Sequence, residues 1–146
     1  MDGAQVVAAA RGWIGTPYRH QGAAKGAGCD CLGLVRGLWR ELLEAEPELP
    51  PAYSRDWSEP QGDELLWGAA KRHLLVKAPG DEARGDVLLF RMRAGSVAKH
   101  LGIAAENGAR RSFIHAYSGH GVVESPLSLP WRRRIVARFA FPEGGI

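Results

Sequence analysis

The sequence predicts an α+β domain in which helices come first and an antiparallel β-sheet follows. In the first half of the chain, apolar residues recur at helical spacing. In the second half, short apolar runs are separated by turn residues, which is the pattern of strands. Because the chain has 146 residues and shows neither an internal repeat nor a linker, we expect residues 1–146 to form a single domain.

The composition is that of a soluble globular domain. The chain is 45% hydrophobic and 24% charged, which excludes a disordered chain. Nineteen basic and 16 acidic residues give a net charge of +3, too small to predict a nucleic-acid partner. Two local basic clusters, Arg110–Arg111 and Arg132–Arg134, could attract an anionic polymer such as cell wall, although a solvated edge strand is the commoner explanation.

The cysteines and the apolar runs bear on the cellular context. A bridge between Cys29 and Cys31 would close a very small, strained ring, so we predict no structural disulfide. No apolar run reaches the length of a membrane span, and the first residues lack the pattern of a secretory signal. We therefore expect synthesis in the cytoplasm without a signal peptide, and no membrane partner.

The first predicted helix runs from Gln5 to Ile14, because several apolar residues share one of its faces: Val6, Val7 and Ala10. Gly15-Thr16-Pro17-Tyr18 ends it. The segment 19–28 is rich in glycine and alanine but matches no phosphate-binding pattern. We interpret it as a loop that brings backbone close to a substrate.

A second helix is predicted after Asp30, whose carboxylate can cap the free N–H groups of the first turn. Its apolar face consists of Leu34, Val35, Leu38, Leu42 and Leu43. The helix ends before the segment from Glu46-Pro47 to Pro51. We predict an irregular excursion over 52–62 and a further helix from about Asp63 to Leu75.

Strands follow in the rest of the chain. The predicted strands are Asp86–Phe90, Leu101–Ala105, Ser112–Tyr117, Val122–Glu124 and Arg133–Phe141. The turn Glu106-Asn107-Gly108-Ala109 is a strong hairpin signal between the second and third of them. Together the strands predict an antiparallel meander.

The residues that indicate chemistry are a cysteine and two histidines. Cys31 lies in the first turn of the second helix, where the helix dipole favours a thiolate, the nucleophilic form of cysteine. His100 begins one strand of the predicted hairpin and His115 lies on the other, so their rings can hydrogen-bond. A thiol, a base and a group that orients the base form the machinery of a cysteine hydrolase. The remaining histidines are better explained as loop or helix-surface residues: His20, His73 and His120.

Five separated motifs resemble the NlpC/P60 family of cell-wall peptidases, in the family's order. They are Gly15-Thr16-Pro17-Tyr18, Gly28-Cys29-Asp30-Cys31-Leu32-Gly33-Leu34-Val35, Gly85-Asp86-Val87-Leu88-Leu89-Phe90, His100-Leu101-Gly102-Ile103 and Phe113-Ile114-His115-Ala116. Within the family, the motif Cys-Asp-Cys-Leu-Gly-Leu-Val is most similar to that of the stand-alone peptidases of phages and gene transfer agents.

The resemblance implies a papain-like fold and cleavage of peptidoglycan stem peptides, usually after γ-D-glutamate. It places Cys31 on the nucleophile, His100 on the general base and His115 on the residue that orients the base. It places Tyr18 on a tyrosine that assists the oxyanion site, and Asp30 beside it in the substrate-binding region. It implies no metal and no other cofactor.

Two residues of the motif depart from the family pattern or lie outside it. Many members have serine after the nucleophile, where this chain has Leu32. That side chain is not needed for the chemistry, so we interpret the change as a trait of a subgroup. Cys29 matches no functional position of the family, and we expect a small, half-buried residue there.

Two other classes of function stay open at this point. Cys29, Cys31, His100 and His115 are ligand types that a zinc-binding module could use, although the usual Cys-x-x-Cys spacing is missing. The chain could also be an assembly protein of a phage-like tail that has lost hydrolysis. With no appended wall-binding module in the sequence, we expect delivery to the wall by a phage-tail-like particle whose proteins would be its partners.

Overall fold

The computed structural model describes residues 2–47 and 64–142, so the excursion predicted over 52–62 lies outside the described residues. The helices are α1 (Gly3–Arg11), α2 (Cys31–Leu42), α3 (Leu65–His73) and α4 (Leu129–Arg132). The strands are β1 (Ala23–Ala24), β2 (Gly28–Cys29), β3 (Leu75–Lys77), β4 (Val87–Phe90), β5 (His100–Ala104), β6 (Ser112–Tyr117), β7 (Gly121–Pro126) and β8 (Ile135–Ala140). The predicted α+β class is confirmed.

The large sheet has six antiparallel strands in the order β3-β8-β4-β5-β6-β7. From β4 to β7 the strands form the predicted meander, including the hairpin between β5 and β6. The last strand departs from a simple meander. It crosses back to lie between β3 and β4, where Phe139 pairs with Val87 and with Val76. Phe139 is thereby fully buried, and its burial stabilises this placement.

Helix α1 is shorter than its apolar pattern predicted. Asp2 and Gln5 form a capping box at its start. It ends at Arg11, followed by Gly12 as the cap, and Gly15 has a φ of +95° that a helix cannot accommodate. Trp13 lies beyond the helix but is still buried, and its indole N–H donates to Glu41 at 2.8 Å. The chain reverses here, before it runs toward β1.

Helix α2 packs closely against its surroundings through two glycines. A Cβ at Gly37 would lie 2.1 Å from the ring of Trp13. A Cβ at Gly33 would lie 1.7 Å from the carbonyl oxygen of Gly22, in the glycine-rich loop. Both positions therefore require glycine if the helix and the loop are to approach as they do. The small β1–β2 hairpin within this loop was not predicted, because two-residue strands have no periodicity to detect.

Apolar clusters cover both faces of the large sheet. The larger cluster joins α1, α2 and α3 to the sheet and includes Leu34, Leu38 and Ile114. The smaller one lies on the opposite face, formed by Leu88, Phe90, Ala104, Phe113 and Leu127 with Trp131 packed against it. Both faces of the central strands are thus buried. None of the described helices combines the length and the apolar character that crossing a membrane requires.

Strand β3 and helix α4 were not predicted from the sequence. The third helix was predicted to reach Leu75, but it ends at His73, and Leu74 adopts an extended backbone. Leu75 and Val76 then form an exposed edge strand, a role that their apolar character conceals. Helix α4 has only four residues, too few for a helical period to show in the sequence.

Candidate active site

Cys31 is the first residue of α2, and Asp30 is its N-cap, as predicted. One carboxylate oxygen of Asp30 accepts from the amide of Gly33 at 2.7 Å, and the other accepts from the amide of Gln21 at 2.7 Å. This buried carboxylate therefore holds the glycine-rich loop against the start of the helix. Both contacts fix the backbone on which the cysteine is carried.

The sulfur of Cys31 lies against the start of β5. It donates to the carbonyl oxygen of Lys99 at 3.6 Å, and the backbone amide of Leu101 hydrogen-bonds to it. These two residues flank His100 in the chain. The thiol is thus held beside the backbone at the position of His100, although 68 residues separate Cys31 from Lys99.

His100 and His115 form the ring-to-ring hydrogen bond expected from the hairpin. The Nε2 atom of His100 lies 2.8 Å from Nδ1 of His115, and the rings meet edge to face at 79°. The Nε2 atom of His115 lies 3.0 Å from the Oγ atom of Ser125 on β7. Both imidazoles are buried, at 8% and 1% exposure.

This chain of hydrogen bonds determines which ring nitrogen could accept a proton. The Nε2 atom of His100 is engaged by His115, which leaves Nδ1 for a proton from a thiol. In the tautomer that leaves Nδ1 open, His100 carries its hydrogen on Nε2 and donates it to Nδ1 of His115. His115 in turn donates from Nε2 to the hydroxyl of Ser125. The arrangement is that of a base whose tautomer is fixed by its neighbours.

An aromatic cluster surrounds the two imidazoles. The half-buried ring of Trp131 on α4 lies 5.7 Å from the ring of His100 and 5.2 Å from that of His115, centroid to centroid. Tyr117 lies 5.3 Å from His115 and stacks on His120 at an interplanar angle of 12°. These rings pack around the histidine pair and contribute to its burial.

Burial controls the charge of the catalytic candidates. It raises the pKa of the Cys31 thiol to about 12, and the neighbouring Asp30 carboxylate adds to this effect. Burial lowers the pKa of His100 to about 3, aided by His115, and that of His115 to about 4, aided by His120. The thiolate expected from the helix N-terminus is therefore not the resting form. At neutral pH these shifts favour a neutral thiol and neutral imidazoles.

Backbone amides at the start of α2 provide the means to bind an oxyanion. The Gly33 amide is occupied by Asp30, but the amides of Cys31 and Leu32 lie beside the sulfur, where they lower its pKa. Tyr18 is carried next to this region, because its backbone pairs with Cys29 and its half-buried ring packs on the larger apolar cluster. The structure thus brings the tyrosine to the loop that leads into the cysteine.

The remaining candidate residues lie elsewhere. Cys29 is fully buried in the core, not half-buried as expected, and both cysteines are free thiols. Within residues 2–47 and 64–142, no three His, Cys, Asp or Glu side chains converge as metal ligands, so the zinc arrangement considered above is not formed there. His20 lies in the glycine-rich loop, His73 at the end of α3 and His120 in the turn after β6.

Ser125 and Trp131 belong to this site but were not identified from the sequence. Ser125 contacts His115 only because β6 and β7 pair with Phe113 opposite Ser125. A serine near the end of an extended run carries no signal by itself. Trp131 lies in the segment between β7 and β8, and only the return of the chain toward β4 brings its ring onto the histidines.

Comparison with solved structures shows the same fold in several proteins. The NlpC/p60 domain of peptidoglycan hydrolase SagA is 22% identical, with a TM-score of 0.62 over 97% of this chain and 100% of that one. A Staphylococcus aureus protein of the NLP/P60 family, similar to a lipoprotein, is 21% identical over 99% of this chain, with a TM-score of 0.62. This chain spans 43% of that protein. Ly7917, solved with the hydrolyzing product of MDP, is 12% identical over 97% of this chain and 63% of its own, with a TM-score of 0.61.

No curated protein sequence matches the chain. The sequence profile of the NlpC/P60 family, by contrast, matches residues 15–139. This range includes the cysteine at the start of α2, both hydrogen-bonded histidines and Ser125. The chain belongs to the NlpC/P60 family.

Proposed function

We propose that the protein is a cysteine peptidase that hydrolyses amide bonds in peptidoglycan stem peptides. One observation carries this proposal. The Cys31 thiol at a helix N-terminus is held against the backbone on both sides of His100, whose ring is oriented by His115. These are the nucleophile, the base and the orienting group that acyl transfer through cysteine needs.

The neutral forms of the Cys31 thiol and the His100 imidazole determine how the first step proceeds. As the sulfur of Cys31 attacks the amide carbonyl carbon, its proton passes to Nδ1 of His100. The amides of Cys31 and Leu32, with the hydroxyl of Tyr18, stabilise the oxyanion. His100 then gives the proton to the leaving amine, and water hydrolyses the thioester. Proton transfer therefore accompanies the attack, because the raised pKa of the Cys31 thiol disfavours a thiolate beforehand.

His115 and Ser125 act as positioning residues in this mechanism. When His100 becomes positively charged, its Nε2–H donates to His115, which is held in the accepting tautomer by its own bond to Ser125. We also assign Asp30 to the substrate-binding residues. Its carboxylate shapes the loop and the helix start that form one wall of the site.

The substrate proposal is supported by the fold and by the sequence motifs. One solved relative is described as a peptidoglycan hydrolase and another was solved with a hydrolysis product of MDP. The family resemblance favours the bond after γ-D-glutamate. No metal or other cofactor takes part in the proposed steps.

The experiment is digestion of purified muropeptides, with the products identified by mass. We expect release of the peptide that follows γ-D-glutamate. Cys31→Ala and His100→Ala should abolish release, while Cys29→Ala, a change of the other thiol in the core, should retain it. An active Cys31→Ala variant would disprove the assignment of the nucleophile, and products cut at another bond would correct the specificity.

A catalytically inactive assembly protein is the second candidate, and the raised pKa of the Cys31 thiol favours it. Alkylation by iodoacetamide in the presence and absence of a stem peptide separates the two. A peptidase should show protection of Cys31 by the peptide. An inert thiol that the peptide does not affect, in a protein without turnover, would favour the assembly role.

We further propose that the protein acts on the cell wall as a component of a phage-tail-like or gene-transfer-agent particle. The support is the motif Cys-Asp-Cys-Leu-Gly-Leu-Val around the nucleophile, which is similar to that of the stand-alone peptidases of phages and gene transfer agents. Proteomics of purified particles should detect the chain together with tail proteins. Its consistent absence from particles that are otherwise complete would contradict this role.

A further inference from the structure

Two basic segments that are distant in sequence line one pocket. Arg110 and Arg111 precede β6, and Arg132 ends α4. The three arginines surround a cavity of about 590 Å³ whose wall includes Ser125 and Ser128. Neither segment alone distinguishes a binding site from a solvated surface. The convergence of both segments on one concave site favours a binding site over a solvated surface.

The carboxylates near this pocket, Glu124 and Glu82, are both ion-paired. Glu124, which lines it, accepts from Arg11 at 3.0 and 3.1 Å and from Ser112 at 2.7 Å. Glu82 is paired with Arg111 at 3.0 Å, and this hydrogen bond is the main reason for its lowered pKa. Since Glu82 offsets Arg111, and Arg11 offsets Glu124, the net positive charge of the pocket comes from Arg110 and Arg132.

Two guanidinium groups in the pocket have hydrogen-bonding capacity to spare. Arg110 and Arg132 are exposed, and their side chains make no ion pair or hydrogen bond with any other described residue of the chain. Each guanidinium offers five N–H donors in a fixed plane, a geometry suited to oxyanions. The hydroxyl of Ser128 adds another donor at the wall.

We propose that this pocket binds a phosphate group, carried by a glycerol-phosphate type of polymer or by a small phosphate ester. The planar forks of Arg110 and Arg132 suit bidentate hydrogen bonds to the unesterified oxygens of a phosphate group. The pocket is a single concavity, and the whole chain carries a charge of only +3, features that fit one phosphate group better than a track of nucleic acid. The inference does not depend on the peptidase activity.

The test is an NMR titration of the ¹⁵N-labelled full chain with inorganic phosphate, glycerol phosphate and a short glycerol-phosphate oligomer. We expect saturable shifts in the amides of segments 109–112 and 125–132. The variant Arg110→Gln/Arg132→Gln should bind about tenfold more weakly or worse. The matched control is Arg93→Gln/Arg133→Gln, which removes two exposed arginines outside the pocket lining and should bind like wild type.

The outcomes decide the proposal and the source of the phosphate. Tighter binding of the oligomer than of the monomer supports a polymer, and equal binding supports a small ester. Equal losses in both double variants would show that only diffuse charge attracts anions, and the absence of saturable binding would equally overturn the proposal. Stronger binding of a single-stranded oligonucleotide, lost in Arg110→Gln/Arg132→Gln, would overturn it in favour of nucleic acid. None of these readouts uses turnover, so failure here leaves the peptidase proposal unaffected.

Discussion

Lowering the pH from about 7.5 to about 4.5 tests whether the two imidazoles of the site are buried in their neutral form. Burial lowers the pKa of His100 to about 3 and that of His115 to about 4. In the unfolded chain a histidine titrates near pH 6.5. As the pH falls, the unfolded state therefore binds protons first. The stability that the neutral pair confers is fully present above about pH 6.5, falls progressively below it, and is completely lost once the pH has passed about 4 to 3.

The size of the loss follows from the two pKa values. At about pH 4.5 an unfolded imidazole lies about two units below its pKa, while His100 and His115 in the folded protein are still mostly neutral. At about 1.4 kcal/mol per unit, each histidine costs about 3 kcal/mol. Because the rings are hydrogen-bonded to each other, we expect about 3 to 6 kcal/mol for the pair. Domains of this size have a total stability of about 5–15 kcal/mol, so the effect is large.

Urea unfolding, followed by tryptophan fluorescence at the two pH values, measures this loss. Wild type should lose about 3 to 6 kcal/mol, and His120→Gln should lose slightly less, because His120 helps to lower the pKa of His115. His100→Gln/His115→Gln should lose much less, and His115→Gln alone should fall between them. If His115→Gln and His100→Gln/His115→Gln lost as much unfolding free energy at low pH as wild type, other groups would be responsible. That result would refute the neutral buried pair.

Three further predictions concern the Cys31 thiol, the hydrogen bond between His115 and Ser125, and the packing of Gly33 against the glycine-rich loop. Alkylation of Cys31, quantified by mass, should accelerate about tenfold per unit between about pH 6 and 9, because its raised pKa keeps the thiolate a minor form; a flat profile would indicate a preformed ion pair. Ser125→Ala should lower kcat about tenfold with little change in KM, since the change removes the hydrogen bond that holds His115. Ser125→Thr should restore kcat. Equal effects of both changes would argue against a positioning role for Ser125. Gly33→Ala should destabilise the fold by about 1–3 kcal/mol in urea melts, because its Cβ would meet the carbonyl of the glycine-rich loop. Gly80→Ala, where a Cβ meets nothing within 4 Å, is the control, and equal effects of the two changes would contradict the close packing.

The sequence by itself determined the elements that have a local signal. The run after Asp30 predicted a capped helix with Cys31 in its first turn, because capping and 3.6-residue periodicity depend on near neighbours. The hairpin turn before β6 predicted that His115 would come within hydrogen-bonding reach of His100, because a turn fixes which strands pair. The family motifs could be read from the same local patterns.

Tertiary structure alone decided the features that depend on distant segments. Strand β8 crosses back to pair with β4, and this placement buries Phe139. The sequence does not indicate which strand Phe139 will pair with. The same return of the chain places Trp131 on the histidines and Arg132 in the pocket with Arg110. The protonation of Cys31 was predicted wrongly, because a helix N-terminus is visible in sequence whereas the burial that outweighs it is not. Desolvation depends on everything that surrounds a group in space, and only the folded chain determines those surroundings.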